Sequence, residues 1–213
     1  MDHNKLIAQK AKEALRPLGF IRSGKSRIWY KDNGWWAVVV EFQPSSFSRG
    51  TYVNVSVSHF LYESAGWAFH IPNRLEGFAS AEDDLDFDQK VEGMAAEAAS
   101  LSKELLEKYS NIDAFIDWYS NLDRRSIWDE YYSGVFKSLS GDFSGAKAHF
   151  QIIENSCYEF TWQKAVRYRA LDLLALLQDE ATYKSCINGI ALRTRNIMVL
   201  EDYKSDNLGL PWQ

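Results

Sequence analysis

The feature that most constrains this chain is Asn33-Gly34, set between two runs of strand-forming side chains at residues 26–32 and 35–43. Asn-Gly is the strongest short-range hairpin signal, because both residues tolerate the positive φ that a tight two-residue loop demands. A loop at that pair sets the register by counting: Asp32 opposite Trp35, Lys31 opposite Trp36, Tyr30 opposite Ala37, Trp29 opposite Val38, Ile28 opposite Val39. A third run, residues 51–60, alternates Val53, Val55 and Val57 with Tyr52, Asn54, Ser56 and Ser58, the period of a strand with two different faces. The connection at residues 44–50 is short enough to make it an antiparallel neighbour of the second run. Residues 67–71 supply a fourth strand.

Helical spacing takes over elsewhere. Leu6, Ile7, Ala11, Ala14, Leu15 and Leu18 mark a helix over residues 4–18, with Gly19 in the usual place for a left-handed end. Residues 89–109 carry Val91, Met94, Ala98, Leu101 and Leu105 on one face, with Asp88 as the expected N-cap. Shorter helices are expected at 112–122, 128–139, 144–154, 162–177 and 180–192. The resulting expectation is an α+β fold: an N-terminal helix, an antiparallel β-meander of three to four strands with covering helices, then an all-helical segment. The expected domains are an α+β domain at 1–122, paired antiparallel helices at 123–195 and an extended tail at 196–213.

Composition narrows the functional classes. The chain has 213 residues and a net charge of −5, without the excess of basic residues that phosphate neutralisation favours, so nucleic acid is a disfavoured partner. Cys157 and Cys186 stand far apart with no CxxC, which excludes a disulfide scaffold and suits a reducing compartment. No apolar run is long enough to span a bilayer, and residues 1–12 lack the apolar core of a signal peptide. The expected location is the cytoplasm.

Several motifs fail in context. Residues 19–26, GFIRSGKS, match the P-loop pattern, but that chemistry needs a strand before and a helix after it, and here the order is reversed. The acidic run from Glu82 to Asp88 resembles a calcium loop, yet Gln89 stands where the sharp turn needs glycine and Ala95 where the bidentate glutamate belongs. His3, His59, His70 and His149 form no i, i+4 pair, so no metal site is expected. No nucleophile elbow or catalytic cysteine signature occurs, so no catalytic residues are assigned and no cofactor is expected. Arg22, Lys25 and Arg27 read as a solvated strand edge.

The sheet itself offers the most informative constellation. One face collects Trp29, Trp36, Val38, Val40 and Phe42 with the three valines of the third strand, a core face. The other presents Tyr30, Glu41, Gln43, Tyr52, Asn54, Ser56 and Ser58, hydrogen-bonding groups among aromatic rings that can orient a ligand or a protein partner. The wetted side of an antiparallel sheet without any function is the competing reading. An enzyme alternative, a small hydrolase or nuclease, would assemble Glu41, Gln43, Asn54 and His59, although alternation puts His59 on the valine face. A small-ligand sensing domain is a further alternative.

In the helical half, Gly134, Gly141, Ala146 and Phe150 fall at the spacing of one tetratricopeptide repeat, but Glu130 and Lys137 occupy its first-helix aromatic positions and no second copy follows. In the N-terminal half, Leu18-Gly19-Phe20, Arg27-Ile28-Trp29-Tyr30, Asp32-Asn33-Gly34, Phe42-Gln43-Pro44-Ser45-Ser46-Phe47, Tyr52-Val53-Asn54-Val55 and His70-Ile71-Pro72-Asn73-Arg74-Leu75 come in an order that resembles the family called domain of unknown function 4304, over roughly residues 5–122. The resemblance implies a helix-then-meander α+β domain and brings no reaction, cofactor or site residues. The functional expectation is a non-catalytic interaction module, of which an immunity- or antitoxin-like protein is one version, with a protein or small ligand as partner.

Overall fold

A computed structural model describes residues 2–123, 125–200 and 207–212. The chain is α+β, as read from its sequence. Its described residues cluster into two compact units: residues 2–59 with Gly66–Lys108, and Phe60–Ala65 with residues from Tyr109 onward.

In the first unit, α1 (His3–Leu15) starts where the Asp2 side chain accepts from the Lys5 amide, and a 3₁₀ turn carries it to Gly19 at φ 82°. An antiparallel sheet follows in the order β1-β2-β3-β4-β5, comprising β1 (Ile21–Arg22), β2 (Ile28–Asp32), β3 (Trp36–Pro44), β4 (Gly50–His59) and β5 (Ile71–Arg74); β6 (Ala79–Ser80) pairs with the start of β4. β1 and β6, two residues each, extend the expected meander. The fourth strand begins at Ile71 and not at Trp67. It carries Pro72, which has no N–H to give a ladder and is accommodated because β5 lies at the sheet edge.

The hairpin exists, with its bend one residue later than expected. Trp29 pairs with Val40 and Tyr30 with Val39, two positions from the counted register. The Asn33 amide donates to Trp36 O, leaving Gly34 and Trp35 as the loop residues. Gly34, at φ 86°, occupies the position where a type II′ turn requires glycine, and its amide is capped by Asp32 Oδ1. A slip of two residues preserves which face each side chain takes, whereas a slip of one would have reversed it. The valine face therefore forms as expected: Val38, Val40, Phe42, Val53, Val55 and Val57 are fully buried, each such side chain contributing roughly 1.5–3 kcal/mol.

α2 (Asp84–Lys108) packs on β3 and β4, and α1 packs along α2. It begins a turn before the expected Asp88 cap, because Asp83 Oδ1 accepts from the amides of Leu85 and Asp86. The acidic run is thus the first turn of a helix, and Asp88 faces Lys10 across a 2.9 Å ion pair. No helix starts at Lys25: the Arg22 guanidinium donates to the carbonyls of Lys25 and Ser26, so this turn is not an amide cradle.

The second unit contains α3 (Ile112–Ser120), α4 (Ile127–Leu139), α5 (Phe143–Glu154), α6 (Thr161–Leu176) and α7 (Glu180–Ile197). α3 clusters here, through Phe115 stacked on Phe136 at 4.9 Å and Tyr119 on Phe136 at 5.3 Å. Asn111, Ser126, Asp142 and Asp179 cap their helices with side-chain oxygens. Gly134 lets α5 approach α4, since a Cβ there would lie 2.6 Å from the Phe150 ring. Asn196 and Ile197 end α7 and are not tail; residues 201–206 and 213 of the expected tail lie outside the described residues. Leu208 and Leu210 are buried.

Glu130, set on the inner side of α4, is balanced by charge. Arg125 Nε lies 2.5 Å from Glu130 Oε1, and the same guanidinium donates to Tyr119 O and Ser133 Oγ; His149 Nδ1 lies 2.7 Å from Glu130 Oε2. Glu130→Ala is expected to lower unfolding free energy by about 2 kcal/mol, below the usual figure for a broken buried pair because Arg125 reaches water. Glu130→Gln, which keeps an acceptor for Arg125, should lose less than half of that. Equal losses in urea melts would refute this role for the carboxylate charge.

Candidate functional site

The alternation of β3 and β4 places Glu41 opposite Asn54 and Gln43 opposite Tyr52 on the non-valine face. Asn54 Nδ2 donates to Glu41 Oε2 at 3.1 Å and to Gln43 Oε1 at 3.0 Å. β5 adds a residue that the sequence reading missed. Arg74, paired with Asn54, donates from Nε to Asn54 Oδ1 at 3.1 Å and from Nη2 to Gln43 Oε1. Its guanidinium carbon also sits 4.6 Å from the Tyr52 ring centroid, and Phe78 packs on that ring at 4.8 Å. Glu41, Gln43, Tyr52 and Asn54 are half-buried and Arg74 is exposed, so this end of the face is a pre-oriented polar patch open to water.

The other end of the face is closed. Tyr30 is 6% exposed and stacks against Trp67 at 4.7 Å, while Ser56 is fully buried and donates to Ile71 O at 3.0 Å. Ser58 is 2% exposed. Tyr30, Ser56 and Ser58 are on the expected face but do not form part of an accessible surface. The segment expected as a strand, residues 67–71, instead brings Trp67 over Tyr30. Alternation along β4 shows which way a side chain points and not what covers it.

His59 pairs with Trp36 at the far end of β4, on the valine face and about 16 Å along the strand from Asn54. The structure does not bring it to Glu41. It stacks on His70, with ring centroids 3.7 Å apart and planes 10° from parallel, and its amide donates to His70 Nδ1 at 3.2 Å. Burial holds the His59 ring well below the ordinary imidazole range, helped by His70, and burial lowers His70 to about 3. This pair is neutral at physiological pH. Among the described residues no group of three His, Cys, Asp or Glu side chains is placed to hold a metal ion.

A second feature of this unit is a cavity of about 600 Å³ between the start of α1, the first residue of the β2 approach and the 44–50 loop. Arg27, Arg49, Asn4, Ser46 and Ser48 line it. Arg27 and the 42–47 stretch were among the residues on which the family resemblance was read.

Residues 11–80 match the family described as a domain of unknown function (DUF4304). The resemblance read from the sequence is borne out for this N-terminal part, over a shorter span than residues 5–122. The DUF4304 match takes in the helix α1 from Ala11, all of β1–β5 and every residue of the polar patch, and it ends before α2. Comparison with curated proteins and with solved structures finds no match.

Proposed function

We propose that this protein is a non-catalytic binding module that engages a protein partner through the open end of its sheet face. The observation that carries the reading is the network of Arg74, Asn54, Glu41 and Gln43 with Tyr52 beneath the guanidinium. Its polar groups are already oriented, so little ordering entropy is lost on contact. Arginine and tyrosine are also the residue types that dominate binding hot spots. The contact groups are therefore Glu41, Gln43, Tyr52, Asn54 and Arg74.

The helices serve this reading as support. The α4–α5 hairpin has the close approach of a tetratricopeptide-like pair, at Gly134 and Phe150. Yet the helical unit already holds a non-helical segment of its own, Phe60–Ala65. Tyr131 Oη donates to Leu61 O, Thr194 Oγ1 donates to Tyr62 O, and Arg169 and Arg193 both pair with Glu63. A helical array occupied in this way leaves the sheet face as the better docking surface. No described helix is long and apolar enough to cross a membrane, and Cys157 and Cys186 are free thiols, which favours a cytoplasmic setting. An immunity- or antitoxin-like role fits a chain of net charge −5 that meets a basic effector.

The test is quantitative capture from native lysate with wild type and with Tyr52→Ala/Arg74→Ala. A partner recovered near stoichiometry by wild type and reduced at least tenfold on the double variant, at unchanged melting temperature, is the expected result. No such partner, or equal recovery by both proteins, would defeat the reading.

A further inference from the structure

The 600 Å³ cavity has a chemical character distinct from the sheet patch, and it contains a charge that the fold leaves uncompensated. Arg27 donates from Nε and Nη2 to one oxygen, Asn4 Oδ1. Its Nη1 is buried with no hydrogen-bond partner, and among the described residues no carboxylate pairs with it. Burial alone lowers its pKa, with no acidic neighbour to offset the shift. A half-buried guanidinium held by a single neutral amide costs stability unless something negative accompanies it.

The surroundings supply the rest of an oxyanion site. Arg49 lines the same space and makes no ion pair among the described residues; its backbone is fixed by the Ala81 amide donating to Arg49 O at 2.9 Å. The 44–50 loop is pre-shaped by Ser45 Oγ, which accepts from the amides of Phe47 and Ser48, and Ser46 and Ser48 both line the cavity. The acidic groups nearby are engaged: Asp2 caps α1, and Asp84 is bonded to His3. Two guanidiniums and serine hydroxyls around a space of this size suit a molecule of small-metabolite dimensions with phosphate or carboxylate oxygens.

We infer that the cavity bounded by Arg27, Arg49 and the 44–50 loop is a binding site for a small organic oxyanion, a phosphate or a carboxylate. This assignment is independent of the sheet-face reading, since the two sites share no side chain.

The experiment is a thermal-shift titration of the full chain with inorganic phosphate and, separately, citrate, at ionic strength held constant with chloride, followed by calorimetry. Wild type is expected to show a saturable upward shift with at least one probe, and the stronger probe distinguishes the phosphate from the carboxylate class. Arg49→Gln, at an exposed side chain, should weaken the dissociation constant at least tenfold. Arg27→Gln should abolish the shift while leaving the anion-free melting temperature unchanged or raised, because it removes the orphaned nitrogen. If Arg27→Gln does not fold, Arg49→Gln decides alone. No saturable shift with either probe, or shifts of wild-type size in both arginine variants, would overturn the inference.

Discussion

Below pH 6.5 the protein is expected to lose stability steeply because of His59 and His70. Both imidazoles are neutral in the folded chain, with pKa values below the 6.5 of the unfolded chain. As pH falls through 6.5, the unfolded chain takes up protons that the folded chain refuses, so stability is complete above 6.5 and declines toward acid. Each such group costs about 1 kcal/mol over the first pH unit below 6.5 and approaches about 1.4 kcal/mol per unit further down, so the pair removes roughly 2 kcal/mol between pH 6.5 and 5.5. The geometry explains the refusal. His70 Nδ1 accepts from the His59 amide, and a proton there would turn an acceptor into a second donor. Urea melts at pH 7.5, 6.5 and 5.5 read the slope directly. His70→Asn keeps an acceptor and removes the titration, and should halve the slope; an unchanged slope would refute the assignment.

The second large effect is expected at Gly50, where β4 begins beside β6. A Cβ at this position would lie 2.2 Å from Ala79 O and 2.3 Å from the Phe78 ring. The ring could turn aside, but the carbonyl is backbone in a paired strand, so β6 would have to leave β4. Gly50→Ala should therefore cost about 3 kcal/mol, the upper end for overpacking a tight site. The same change at Gly93, in an exposed turn of α2 with nothing within 4 Å, should instead raise stability by up to about 1 kcal/mol through helix propensity. Denaturant midpoints moving in the same direction for both variants would contradict the packing argument.

What could be read from residues alone follows from how local each signal is. The strand faces came from period-two alternation, which depends only on neighbouring residues, and they survived a two-residue shift in register. The bend itself was misplaced because Asn-Gly and Gly-Trp both offer a glycine at positive φ, and only the Asp32 side chain bonding to the Gly34 amide selects the second. The open end of the face, Glu41, Gln43, Tyr52 and Asn54, was legible for the same reason of alternation. Arg74 was not, since Pro72 weakened any strand reading of β5 and register with Asn54 is a long-range property. The burial of Tyr30, Ser56 and Ser58 depends on Trp67 and Ile71 returning over them, which no local pattern encodes.

The way Phe60–Ala65 is held also bears on how this chain is made. Glu63 emerges from the ribosome 130 residues ahead of Arg193, and Leu61 emerges 70 residues ahead of Tyr131. At ordinary translation speeds of about 5–20 residues per second, the 70-residue gap amounts to roughly 4–14 s before Tyr131 can reach Leu61, and the 130-residue gap to roughly 7–26 s before Arg193 can reach Glu63. The nascent polypeptide thus carries an oily stretch in waiting, Phe60 and Leu61, until the helices that bury them have emerged.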